Sequence, residues 1–481
     1  ANTYTGTTSI NAGGLSTNAA NRIADLSDVS LANVAGVTLS LGGSETIRSL
    51  SGGGADGGNI NLGTFTLTVN QNTASTYGGI ISGAGGLTKA GAQTLILSGA
   101  NTYTGATTIN AGNLTTDSAD RIADASNIVL ANAAGASLTL GGNETIGSLS
   151  GGGTTGGNIN LESFTLTVTQ AAALTFGGVI SGTGGLIKTG AQILTLTGSN
   201  TFSGSLNILS GTCNLQNATA AGTTSGGIIV SADASLQIQG GITVGAEPLT
   251  LNGGTANELV NVSGANVWGG PVTLSTTDID IVVTAGMLTL SGVMSGNETI
   301  NKSGAGTLVL SGANDFTGIL NVTAGICNLR SDTAAGSTTN GIVVSAGASL
   351  ELQGGITVGA ETLTLNGGAA NEIVNVSGLN IWGGPVTLAT AAVDLVTTAG
   401  TLTLNGVMSG NQTINKSGAG TLVLSGANDF TGILNVTAGI CNLRNNSAAG
   451  STANGIVVSA GASLEIQGGI AVGTEPLTLN G

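Results

Sequence analysis

Residues able to do acid–base or nucleophilic chemistry are few in this sequence, and most of them recur at fixed intervals. Lys89, Lys188, Lys302 and Lys416 are separated by 99, 114 and 114 residues. Cys213, Cys327 and Cys441 stand 114 apart, as do Trp268 and Trp382. Glu45, Glu144 and Glu298 share the motif G-[SN]-E-T-I, where the fourth copy carries Gln412. One acidic pair, Asp278 and Asp280, lies in "TTDIDIVV", and histidine is absent.

A lysine could serve as a general base, but a catalytic site converges unlike residues on one spot. Four equivalent copies are instead expected to be solvated side chains beside a turn of the repeat, and Glu45, Glu144 and Glu298 likewise. A disulfide needs Cα atoms within about 7 Å, and the cysteines are a whole repeat apart. The 99-residue offset places Cys213 where Leu114 and Leu15 stand, so the expected role is a small buried hydrophobe, with a reactive or cross-linking thiol as the alternative. Paired carboxylates such as Asp278 and Asp280 can bind Ca²⁺ or cleave glycans. The next unit, "AAVDLV", keeps only Asp394, which favours an exposed polar strand face. Trp268 and Trp382, in "N-[VI]-W-G-G-P-V-T-L", either cover the core at a corner or stack on a sugar ring; they are the candidate ligand contacts. The G-x-G-like fragments around Gly83 to Gly91 lack a strand–helix context and carry no phosphate-binding meaning. Asn101, Asn200, Asn314 and Asn428 are expected to satisfy backbone groups locally at turns and to stack in short ladders. No catalytic, metal or cofactor site is expected.

These residues sit on a simple scaffold. The 481 residues include 84 glycines, only 7% charged residues and 2% aromatics, a strand-and-turn composition. The net charge of −15 repels phosphate, so nucleic acid and anionic membranes are poor partners. No apolar run reaches the ~18 residues of a membrane-spanning helix. Aromatic markers keep the same time as the lysines: Tyr4, Tyr103 and Phe202 at 99 residues, then Phe202, Phe316 and Phe430 at 114. The chain therefore reads as an array over 1–198 with a 99-residue period, followed by an array over 199–481 with a 114-residue period. Both ends read as cuts in a longer array.

Inside each unit, runs such as "GTLVLSG", "LTLNG" and "GIVVSAG" alternate apolar with small polar residues before Gly or Asn interrupts them. That is period-two patterning. About five such cycles of roughly 20 residues fill one unit, the length of a solenoid turn. The predicted fold is all-β, a parallel β-solenoid of about 23 coils, each ~4.8 Å from the next, with the right-handed crossover as default. An array of β-sandwiches is the runner-up.

Segments such as "GTGGLIKTGAQILTLTGSNTFSGSLNILSG" resemble the passenger-associated transport repeat of bacterial autotransporter passengers. The shared pattern is G-x-L-x-K-x-G-x-x-x-L-x-L-x-G-x-N-x-[YF]-x-G. The resemblance implies a right-handed parallel β-helix displayed on, or released from, a Gram-negative cell surface. The expected function is a non-enzymatic stalk, adhesin or fibre, acting by reach and multivalent contact. Alternatives are a polysaccharide-acting enzyme and an ice- or crystal-binding face. Expected partners are a surface glycan or protein, or other copies of the chain joined end to end or laterally.

Overall fold

A computed structural model describes residues 2–338, 341–368, 371–452 and 455–481. The described residues contain no helix; they form short parallel strands stacked as a β-solenoid of about 22 turns. Contacts divide the chain into two units, Ala1–Leu236 and Gln237–Gly481. The change of period near residue 198 lies inside the first.

The usual strand is three to five residues long and reads buried, half-exposed, buried. Leu87–Lys89 and Leu166–Val168 are typical. Alternate side chains leave a strand on opposite faces, so the L-x-L and L-x-V patterns send two apolar groups inward and one Thr, Ser or Asn outward. Each coil hydrogen-bonds to the next in parallel register. Leu87 pairs with Thr107, Thr107 with Ile128, and Ile128 with Leu149, steps of 20, 21 and 21 residues. Inward side chains consequently form continuous columns of Leu, Ile and Val with almost no solvent exposure. Each such side chain contributes about 1.5–3 kcal/mol by burial, gained only when a neighbouring coil closes over it.

In the first unit, one ladder runs from Glu45–Ile47 through Leu67–Val69, Leu87–Lys89, Thr107–Ile109, Ile128–Leu130 and Leu149–Gly151 to Leu174–Phe176. A second contains Leu95–Leu97, Asn113–Thr116, Ser137–Thr139 and Asn158–Asn160. A third joins Glu144–Ile146, Leu166–Val168, Leu186–Lys188 and Leu206–Ile208. The second unit is also built from parallel ladders, such as Val393–Thr397, Ile414–Ser417 and Leu434–Val436.

The sequence period and the coil step are incommensurate. The inward column of Lys89 passes through Ile109, Leu130 and Gly151 to Phe176. Lys188, the equivalent of Lys89, follows Phe176 by a further part-coil, and stands on a different ladder between Val168 and Ile208. In the second unit Lys302 shares a column with Ile281 and Val322. Lys416 stands between Leu395 and Val436, in the column that also holds Cys327, Leu350 and Ile373. Within each unit, successive repeats thus present equivalent residues on different sides.

Candidate functional site

The four lysines are not solvated. All have 0% exposure, which corrects the expectation of a side chain beside a turn. The cause is the L-x-K and I-x-K spacing: a residue two after an inward Leu or Ile also points inward. Each Nζ then finds the carbonyls of the adjoining corner and of the next coil. Lys89 donates to the oxygens of Ala90 (3.1 Å), Gly91 (2.7 Å) and Ala111 (2.9 Å). Lys188 does the same with Thr189, Gly190 and Ser210 at 2.7–3.0 Å, and Lys416 with Ser417, Gly418 and Ala438 at 2.8–2.9 Å. Lys302 reaches four oxygens, those of Ser303, Gly304, Gly306 and Ala324, at 2.8–3.0 Å. Three acceptors match the three protons of an ammonium. Burial lowers each lysine from its ordinary 10.5 to about 8, so the ammonium form still prevails at neutral pH.

The corner beside Lys89 accepts only glycine. At Gly91 φ is +76°, and a Cβ would stand 1.4 Å from the carbonyl oxygen of Asn70. Coil corners pass too close to carry a side chain there.

The asparagines also act between coils, which corrects their expected local role. Asn101 accepts from the Ile81 amide (2.8 Å) in the preceding coil, and its Nδ2 donates to the Arg121 carbonyl (2.6 Å) in the following one. Asn200 links Ile180 and Ala220, Asn314 links Met294 and Ala334, and Asn428 links Met408 and Ala448, all at 2.6–3.0 Å. One buried amide therefore bridges three coils, the geometry a repeat must reproduce to stay in register.

The first-array glutamates are buried as well. Glu45 accepts from the amides of Arg22 and Ile23 at 3.0 Å. Glu144 accepts from Arg121 (2.9 Å) and Ile122 (3.2 Å), and burial raises its carboxyl from 4.5 to about 7. Glu298 and Gln412, in the second array, are only half-buried.

The remaining candidates are dispersed. Cys213 stacks on Leu194, Cys327 on Leu308 and Cys441 on Leu422. All three thiols are free and fully buried, and burial pushes them up to about 12, leaving no thiolate at neutral pH. Tyr103, Phe202, Phe316 and Phe430 are buried in the same manner. Trp268 and Trp382 have no exposed surface, packed between Val244 and Leu290 and between Val358 and Leu404. An indole so enclosed offers no face to a sugar, which withdraws both as ligand contacts. Asp278 stands exposed immediately before the strand Ile279–Val283, in which Ile279 points inward. Asp280 instead heads an outward amide ladder: Asn301 donates to it (3.0 Å) and Asn321 donates to Asn301 (2.9 Å). Asp394, Asn415 and Asn435 repeat that ladder at 2.8 and 3.0 Å. The longest outward threonine column seen in the first unit, Thr46, Thr68, Thr88 and Thr108, gives way to Val129 and Ser150.

These residues do not converge on a reactive centre. They join one coil to the next, and the signals that could have placed them inward were the two-residue spacings L-x-K and E-x-I.

The passenger-associated transport repeat matches residues 1–16, 87–115, 186–212, 300–326 and 414–440. Each of the last four stretches opens on the strand carrying the buried lysine and includes the bridging asparagine. The chain is also 33% identical over 396 residues to the adhesin BmaC autotransporter of Brucella suis biovar 1 (strain 1330), an alignment covering 80% of this chain and 10% of that protein. The chain therefore spans about a tenth of that relative's length. No solved structure matches it.

Proposed function

We propose a non-catalytic scaffold role for this chain, which is an autotransporter passenger segment carrying passenger-associated transport repeats. It is a β-solenoid stalk or adhesin displayed at the surface of a Gram-negative bacterium. The observation that carries this reading is the commitment of the recurrent lysines and asparagines to bonds between coils. Residues repeated with this fidelity serve stacking. The outward positions, mostly Thr, Ser and Asn, form the surface that partners meet.

Rotation of equivalent residues from one ladder to another also supports this reading over binding to a crystal plane, which needs one flat face repeated in register. Surface features of successive repeats point in different directions, an arrangement suited to weak multivalent contact with a soft cell surface or matrix.

The test is adherence of beads coated with the purified chain to host cells and to extracellular-matrix glycoproteins. Expected is saturable adherence, competed by soluble chain, with no release of oligosaccharide. Cleavage of a polysaccharide by the chain, lost on Asp278→Asn or Asp280→Asn, refutes the proposal.

A further inference from the structure

Most buried polar groups here serve the stacking of coils; the carboxylate of Glu361 is an exception. Its residue exposure is 2%, and among the described residues its Oε2 has no hydrogen-bond partner. A buried acceptor left unsatisfied is costly and calls for an explanation. Burial raises its pKa, since little surrounds it that favours the charge.

Glu361 borders an open hollow of about 440 Å³ in the second unit, with Asp315 and Asp332 among its walls and no lysine or arginine among the described residues that line it. The unpartnered oxygen lies just beneath the floor: a Cβ at the hollow-lining Gly359 would stand 3.1 Å from Oε2 and 3.4 Å from Cγ2 of Thr338. Asp332 is fixed at the rim by accepting from the Thr357 amide at 2.7 Å. The hollow thus presents a buried acceptor and two exposed carboxylates without a countercharge.

The three acids are too dispersed for one metal ion, since no cluster of three such groups among the described residues is placed to hold one. A ligand that answers spaced acceptors is an elongated cation with several N–H donors. The volume is in the range of small-molecule sites, and the chain's charge of −15 draws cations toward it.

We propose that this hollow binds a primary ammonium, borne by a polyamine or by a lysyl side chain, with Glu361 accepting at the floor and Asp315 and Asp332 at the rim. The next repeat supplies a natural contrast. Glu475 again has an unpartnered Oε2, and a Cβ at Gly473 would stand 3.2 Å from it and 3.2 Å from Cγ2 of Thr452. Asp332 is replaced there by Asn446, and Thr357 by Ala471, which leaves Asp429, the counterpart of Asp315, as the one rim carboxylate. One strong site per chain follows.

The experiment is calorimetric titration of the full chain with spermidine and, separately, with an Nα-acetylated lysine-containing tetrapeptide amide. The variants are Asp332→Asn, Glu361→Gln and the distant control Asp124→Asn, each checked for unchanged circular dichroism. Expected is saturable one-site binding of at least one probe, weakened tenfold or more by Asp332→Asn and untouched by Asp124→Asn. Asp332 is exposed, so that variant keeps the test valid if Glu361→Gln disturbs the fold. Binding of spermidine alone assigns a polyamine, of the peptide alone a lysyl group, and of both the shared ammonium. No saturable binding, or equal weakening by Asp124→Asn, overturns the site. Saturable Ca²⁺ binding lost in Asp332→Asn overturns the ammonium assignment.

Discussion

Replacing Lys302 by Met tests the reading that the recurrent lysine joins coils. Methionine keeps the length and apolar stem of the side chain but removes the ammonium. Four carbonyl oxygens within 3.0 Å lose their donor. The oxygen of Gly306 keeps a second donor, the Ile326 amide at 3.3 Å; the other three, on half-buried residues, lose the ammonium. At about 1–3 kcal/mol for each unsatisfied acceptor, the three half-buried oxygens cost about 3–9 kcal/mol, against several kcal/mol regained by no longer burying a charge. The net expectation is a destabilisation of about 2–4 kcal/mol. Because a solenoid's stability is distributed over its neighbouring coils, the effect should be local. Hydrogen exchange should accelerate most at the corners 303–306 and 323–326, with smaller change several coils away, and the midpoint of urea unfolding should fall. A Lys302→Met variant with unchanged or slower exchange at those corners would refute the reasoning, because an apolar column would then serve as well as a charged staple.

Glu144 gives a pH signature: its folded carboxyl titrates near 7 against 4.5 ordinarily, so the fold prefers the protonated form. That contribution is complete below pH 4.5 and disappears as pH rises through about 7; Glu144→Gln should flatten this part of the melting profile, and identical profiles would disprove the assignment. A thiol reagent should detect no cysteine in the native chain and three after denaturation. Cys213→Leu should change stability by less than about 1.5 kcal/mol and Cys213→Ser lower it by ~1–3 kcal/mol, as read from urea unfolding. Gly91→Ala combines a positive φ with a clash against Asn70 and should destabilise by more than about 3 kcal/mol, with faster exchange around residues 89–93; a neutral effect would show that the corner has slack.

The sequence by itself determined the class of the fold. Alternation such as L-T-L-N-G makes short strands with one buried side, and a 20-residue cycle cannot close its own core, so parallel stacking follows. The burial of Cys213 was legible from the leucines at the equivalent positions, Leu114 and Leu15. Tertiary structure decided what the charged and amide residues do. Lys302 and Glu144 look like surface groups by type, and only the column they occupy shows that carbonyls or amides from adjoining coils surround them. The partners of Asn101 lie 20 residues away on either side, a spacing without a local sequence mark. The side on which each repeat faces was likewise hidden, because it depends on the remainder when 99 or 114 residues are divided by coils of uneven length. Lys89 and Lys188 are identical in their motif and differ in their ladder. Composition and periodicity fix which way a side chain points relative to its own strand; its neighbours across coils depend on register, which exists only once the coils have stacked.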